Sequence, residues 1–416
     1  MSSSTILQKV YNAFDPIEFI ARSDDARYVD TLSARGSKGM LQQMMMPLLS
    51  DEPNTVFFSG AFGDGKTSIL HQLRGKLDEH GGATAYGDMA TLLDLGNVAY
   101  EEVLLAILAI ADQAFYPLHE KAMREGVFEE IWLWILRIGY LKMDNLFHSE
   151  QDPFGRILQT LRNSPDERLR IRALLRKASE PTLPMMVKRY LTHLKALLPE
   201  QHLIIMMDGF EKIPAVKKDG QFLDQRMFLG QATQLSALPC HMLYTIKLEL
   251  ARAHESQLTD LYRGSVVTLP SIAVKDRNGD DNDIGLQVLQ DVVDKRMAQV
   301  PEATTLADPK ALKQLYLDSG GHMRSLLSMI RNACSLAMFE GLPLTQDVLE
   351  TTLQQAAAKT RLAAKDVRKS LAYIDKMHDL DGITEEERGF LFNQRLVYEY
   401  YDGVFWYGIS PLVRSS

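Results

Sequence analysis

Residues 56–70 read VFFSGAFGDGKTSIL. The apolar run Val56, Phe57, Phe58 predicts a buried strand, and it feeds a turn containing Gly60, Gly63 and Gly65. Lys66, Thr67 and Ser68 then open an apolar-periodic stretch predicted as a helix. A turn almost free of side chains lets backbone N–H groups converge on one point, and a following helix adds its unpaired N-terminal N–H groups and the positive end of its dipole. Lys66 supplies a mobile positive charge and Thr67 a hydroxyl oxygen. Such a set suits the oxygens of a polyphosphate accompanied by a hard divalent cation. The pattern G-x-x-x-x-G-K-T, between a strand and a helix, is a Walker A phosphate loop in the setting it requires. Gly60, Gly63, Asp64, Gly65, Lys66, Thr67 and Ser68 are the candidate nucleotide-binding residues, and ATP with Mg²⁺ is the expected ligand.

A second motif lies at 203–212, LIIMMDGFEK. Five consecutive apolar residues predict a strand buried on both faces, with Asp208 at its carboxyl end, where a parallel sheet presents its ligands. Asp208 is the candidate Walker B carboxylate, sharing the metal with Thr67. The next acid is Glu211, because Gly209 stands directly after Asp208.

Composition bounds the rest. The chain has 416 residues, a formal charge of −8 and a pI near 5.7, which argues against a broadly basic nucleic-acid coat. Only Cys240 and Cys334 are present, without ligand spacing around them, so neither a disulfide framework nor a zinc site is expected. The N-terminal segment lacks the charged-then-apolar order of a signal peptide, and no apolar run reaches the roughly 18 residues of a membrane span. A cytoplasmic protein without a membrane segment is the expectation.

Along the chain, 1–50 is a lead-in or linker and 51–274 an α/β core with a parallel sheet. Within that core, about 100–200 reads as a helical insertion, with helices at 101–114, 128–141, 167–178 and 185–198 and with Pro153, Pro165, Pro181 and Pro184 as punctuation. Phe115, Phe128, Trp132, Trp134 and Tyr140 read as core aromatics. Arg168, Arg170, Arg172 and Arg176 read as a solvated helix face, with nucleic acid as the alternative. Residues 240–247 predict a strand ending in the polar Thr245 and Lys247, and 248–262 a helix ending at Arg263. The polar stretch 275–283 is a plausible boundary before a helical lid at 275–360. In that lid Gly320 and Gly321 stop one helix, and Arg324 stands in the first turn of the next, against the dipole preference, as if held for a ligand. At 361–416 a helix precedes two strands joined by Asp402-Gly403, a strong hairpin signal.

Together these features resemble the AAA+/STAND superfamily, with an architecture like that of origin-recognition ATPases carrying a winged-helix tail, as found among bacterial conflict and mobile-element ATPases. The resemblance implies a P-loop NTPase sheet with a helical insertion, an all-α lid and a small winged-helix-like C-terminal module. The spacing Asp208-Gly209-Phe210-Glu211 resembles the Walker B of STAND-type ATPases such as the NACHT and KAP groups, which makes Glu211 the candidate to orient or deprotonate the attacking water. By the same resemblance Thr245 falls at sensor 1, Arg324 at sensor 2 and Arg263 at an arginine finger, with Arg252 second. Tyr28, Val29 and Arg35 would fold over the adenine. The implied activity is ATP hydrolysis to ADP and phosphate in a nucleotide-dependent switch. Such a switch would form a homo-oligomer and signal to a protein effector, as in antiphage defence. The alternatives are a DNA-binding ATPase acting in DNA loading, transposition or replication control, and a small-molecule phosphotransferase.

Overall fold

The computed structural model describes residues 3–18, 20, 25–119, 153–177, 182–198, 201–218, 220–303 and 305–414. Its strands in chain order are β1 (Thr55–Gly60), β2 (Gly82–Asp88), β3 (His202–Asp208), the short antiparallel pair β4 (Lys217–Lys218) and β5 (Gln221–Phe222), β6 (His241–Thr245) and β7 (Ser265–Leu269). Five of them form one sheet in the order β2-β3-β6-β1-β7, and β2–β3, β3–β6 and β6–β1 pair in parallel. All of β1, and β3 beyond its first residue, are buried, as uninterrupted apolar strands require when helices cover both faces. The fold is α/β, P-loop NTPase-like, as the two motifs predict.

The chain gathers into two units. One comprises Leu41–Ser59 and Leu73–Val267, the other Met1–Met40, Gly60–Gln72 and Thr268–Ser416.

In the first unit, the ring of Phe57 is met edge-on by Phe228 and Tyr262 at centroid distances of 5.7 and 4.8 Å and stacks on Tyr244 at 5.8 Å. The expected helices at 101–114, 167–178 and 185–198 are realised as Tyr100–His119, Pro165–Lys177 and Leu183–Ala196. A further helix, Pro153–Asn163, begins at a proline read from sequence as punctuation. Proline lacks only an N–H that the first turn leaves unpaired in any case, so it starts a helix as readily as it stops one. Phe115 is in the core. The expected helix at 128–141 and the aromatics Phe128, Trp132, Trp134 and Tyr140 lie outside the described residues.

The arginine run keeps its expected solvated face only at Arg170 and Arg176, which are exposed. Arg168 and Arg172 are buried, and Arg172 donates to Glu102 Oε1 through Nε at 3.1 Å and NH2 at 2.9 Å. Arg168 pairs with Asp94 at 2.7 Å, Arg176 with Glu101 at 2.6 Å and Arg170 with Glu167 at 3.8 Å. Glu101 and Glu102 sit in the first turn of Tyr100–His119, where the helix dipole favours carboxylates.

In the second unit, the helices Asp283–Met297, Pro309–Asp318, Met323–Leu336 and Gln346–Ala363 share an apolar core with Leu7, Val10 and Phe14, from in or just after the N-terminal helix Ser3–Ala13. Each lid helix is started by a side chain that accepts backbone N–H groups: Asn282, Asp308, His322 and Thr345. Helices Arg368–Met377 and Glu385–Asn393 precede the hairpin of β8 (Val397–Tyr401) and β9 (Phe405–Ile409), a winged-helix-like arrangement. Among the described residues no helix is long and apolar enough to cross a membrane.

Two predictions follow from buried polar groups. Glu102→Ala strands the cation of Arg172 in the first unit's interior and is expected to cost about 3–5 kcal/mol, read as a lower urea midpoint. A loss below about 1 kcal/mol would mean that water screens the pair. The second concerns acid. Burial lowers His322 from 6.5 to about 4, and burial with the nearby His202 and Lys195 lowers His241 likewise. Below pH 6.5 the unfolded chain takes up protons that the folded rings refuse until about pH 4, so stability falls as pH drops through that window. A urea midpoint that stays level between pH 6.5 and 4.5 would contradict this.

Candidate nucleotide-binding site

The phosphate loop belongs to the second unit. Gly63 and Gly65 have φ of +100° and +95°, a region closed to most side chains, and this brings successive backbone groups round to the start of the 14-residue helix Lys66–Glu79. Lys66 is buried, and its Nζ donates to the carbonyls of Gly60 at 2.9 Å and Ala61 at 3.1 Å. Thr67 and Ser68 follow in the first turn, and the Ser68 hydroxyl accepts from the Ile20 amide at 3.2 Å. A curled backbone, a helix N-terminus and a primary amine have the donors that a phosphate chain needs.

Asp64, at the crown of the loop, has its side chain turned into the protein and is 1% exposed. Its Oδ2 accepts from Ser271 Oγ at 2.5 Å and lies 3.9 Å from Arg35 NH1. Arg35, 2% exposed, also donates to the carbonyls of Asp64 (2.7 Å, NH2) and Pro270, and to Thr31 Oγ1 (3.1 Å, Nε). Arg35 was expected at the adenine, yet its guanidinium is buried and taken up by Thr31, Pro270 and the loop residue Asp64. Of its expected companions, Val29 packs against the lid core and Tyr28 is half-buried. Arg324 lies with its guanidinium 4.4 Å over the ring of Phe62, and its Nε donates to the Pro16 carbonyl at 3.3 Å.

In the first unit, Asp208 ends β3 opposite Asp88 of β2. Tyr86 stands two residues before Asp88, hence on the same sheet face. Its hydroxyl donates to Asp208 Oδ2 at 2.9 Å, and burial and that carboxylate push the phenol's pKa up. Gly209 has φ of +97°, and a Cβ there would come within 2.5 Å of Asp88 Oδ1. A side chain there would be strained in the left-handed region, and the first acid after Asp208 is Glu211, in the short 3₁₀ turn Phe210–Lys212. Thr245, fully buried at the end of β6, accepts from the Gly209 amide at 2.7 Å and donates to Glu211 Oε2 at 2.8 Å. Lys247, the other polar residue at the end of that predicted strand, is buried and paired with Asp224 at 3.2 Å. Arg263 is exposed, with φ of +49°, capping Leu248–Tyr262 at the end where a cation suits the dipole. Arg252 pairs with Glu255 at 3.4 Å.

Sequence reasoning missed Ser271, Tyr86 and His322. Tyr86 had a usable signal, since strand parity places it on the face of the residue paired with Asp208.

No family model and no curated protein sequence matches this chain. Among solved structures it is similar to the Aeropyrum pernix ORC1 protein in complex with DNA, at 13% identity over 94% of this chain and 92% of that one, with a TM-score of 0.41. The Aeropyrum pernix ORC2 protein, solved as ADPNP–ADP complexes, matches at 12% identity over 96% and 93%, with a TM-score of 0.39. CDC6P from Pyrobaculum aerophilum matches at 11% identity over 96% and 94%, with a TM-score of 0.42. At these values no residue role passes from those proteins to this chain.

Proposed function

We propose that this chain is an ATP-binding regulatory ATPase whose nucleotide state governs its assembly or its signal to a protein partner. The observation that carries the reading is the phosphate loop, with two left-handed glycines, a buried lysine and a helix N-terminus in one short segment. Lys66 Nζ, which rests on two loop carbonyls, is assigned to the β- and γ-phosphate oxygens. Thr67 and Asp208 are the hard oxygen donors assigned to Mg²⁺, which when bound neutralises charge on those oxygens. Glu211 is assigned to accept a proton from the attacking water. Thr245 donates to Glu211 Oε2 and so orients the carboxylate. Arg324 is assigned to read the γ-phosphate from the lid, and Arg263 to reach a neighbouring protomer.

A protein recipient is favoured over DNA by one finding. Of the basic run that suggested nucleic acid, Arg168 and Arg172 are buried against Asp94 and Glu102, which leaves only Arg170 and Arg176 exposed. Two variants test the reading by calorimetric titration and phosphate release. Lys66→Ala is expected to abolish ATP binding. Glu211→Gln is expected to bind ATP as the parent does while turnover falls about 10²–10⁴-fold. Unchanged ATP affinity in Lys66→Ala would overturn the assignment.

A further inference from the structure

Behind the phosphate loop, wholly within the second unit, lies a buried polar cluster whose members come from four parts of the chain. Arg35 comes from the N-terminal segment and Ser271 from the chain just after β7. His322 comes from the lid, and Tyr398 from the terminal hairpin. Asp64 meets Ser271, Arg35 and His322, and His322 is fully buried. Its Nε2 lies 2.9 Å from the Phe62 carbonyl and 3.8 Å from Asp64 Oδ1, a buried oxygen without a hydrogen-bond partner. Its Nδ1 accepts from the Ser325 amide at 3.2 Å and lies 2.7 Å from Ser325 Oγ. A carbonyl on one side and an amide N–H on the other define the tautomer: Nε2 carries the hydrogen and donates to Phe62, while Nδ1 accepts and caps the helix Met323–Leu336.

The opposite side of this cluster is made by β8. The Tyr398 ring stacks on His322 with centroids 5.4 Å apart and planes 14° apart. Tyr400 donates from its hydroxyl to the Gly320 carbonyl at 2.8 Å, and the Ser271 amide donates to the Glu399 carbonyl at 2.7 Å. Strand β8 is thus fastened to the glycine turn that carries His322 and to the residue that holds Asp64. The loop carbonyl of Phe62, the imidazole and the Tyr398 ring are in successive contact.

We infer that His322 is a positioning residue for the phosphate loop, and that its stack on Tyr398 couples occupancy of the loop to the seating of the terminal hairpin. Nucleotide at the loop stabilises the arrangement in which Phe62 receives the Nε2 hydrogen, and a partner that pulls on the hairpin loosens the loop. By linkage the two effects are equal in size. The coupling to nucleotide rests on the ATP-binding reading above, while the positioning of the loop does not.

The two nitrogens permit a test that separates this role from helix capping. His322→Asn keeps an acceptor near the place of Nδ1 and loses the reach to Phe62; His322→Gln reaches Phe62 with an amide N–H and gives up the cap. Amide exchange is measured without nucleotide on peptides covering 60–66 and 396–410, together with the melting temperature. Expected for His322→Asn is faster exchange in both peptides with a melting temperature close to the parent's. Expected for His322→Gln is parent-like exchange in 60–66 but faster exchange in 396–410, where the stack on Tyr398 is lost, with the lower melting temperature of a lost cap. Exchange that simply follows stability, or a His322→Asn loop as protected as the parent's, would overturn the inference.

Affinity for a non-hydrolysable ATP analogue supplies the second arm. His322→Asn is expected to weaken it roughly three- to tenfold, and Tyr398→Leu by about fivefold or more. The analogue is expected to slow hairpin exchange in the parent and not in His322→Asn. Parent-like affinity in both variants, or identical hairpin protection in parent and His322→Asn, would overturn the coupling. A parent protein that binds no nucleotide would refute the ATP reading and the coupling built on it, while the nucleotide-free exchange still decides whether His322 positions the loop.

Discussion

The buried carboxylate of Asp64 is the constraint on which the phosphate loop depends. A glycine-rich loop has little side-chain surface to fix its shape, and glycine loses more conformational freedom on ordering than any other residue. The shape must be held by contacts made from outside. Here the one charged side chain within the loop's turn faces inward, to Ser271 and Arg35, while Arg35 also grips the loop backbone at the Asp64 carbonyl. A charge buried this deeply is tolerable only when paired and hydrogen-bonded. Whatever arranges Arg35 and Ser271 therefore also arranges the loop.

The same logic explains the unusual acid spacing after β3. The chain leaves the strand through a left-handed glycine pressed against Asp88, which disfavours a side chain beside Asp208. A single 3₁₀ turn then carries Glu211 to the hydroxyl of Thr245, which also closes the Gly209 amide. One threonine thus satisfies the turn's backbone and restrains its acid. Tyr86 restrains the other carboxylate from the neighbouring strand. Both acids are held by neutral donors, which orient a carboxylate without cancelling its charge.

Arginines show how far sequence reading reaches. In the sequence, Arg35 could be an adenine contact and Arg168 to Arg176 a solvated or nucleic-acid face, because an arginine's use depends on where its partners fold. The acids that answer Arg168 and Arg172 lie some 70 residues away, on the helix Tyr100–His119 and its approach. Asp64 and Pro270, which answer Arg35, are 29 and 235 residues distant. No local period encodes such pairs, whereas apolar periodicity encodes the helices that carry them.

The sequence by itself determined the strand, loop and helix at 56–70, the buried strand ending in Asp208, the helical lid and the hairpin turned by Asp402-Gly403. Each rests on interactions among near neighbours: hydrophobic period, glycine conformation, capping and turn chemistry. Only the tertiary structure decided that Thr245 orients Glu211, that Arg35 braces the loop, and that His322 joins a loop carbonyl to an aromatic strand far along the chain. Those assignments turn on polar groups meeting in the interior. Burial there gives each hydrogen bond a single admissible partner, and that partner is chosen by the fold rather than by proximity in sequence.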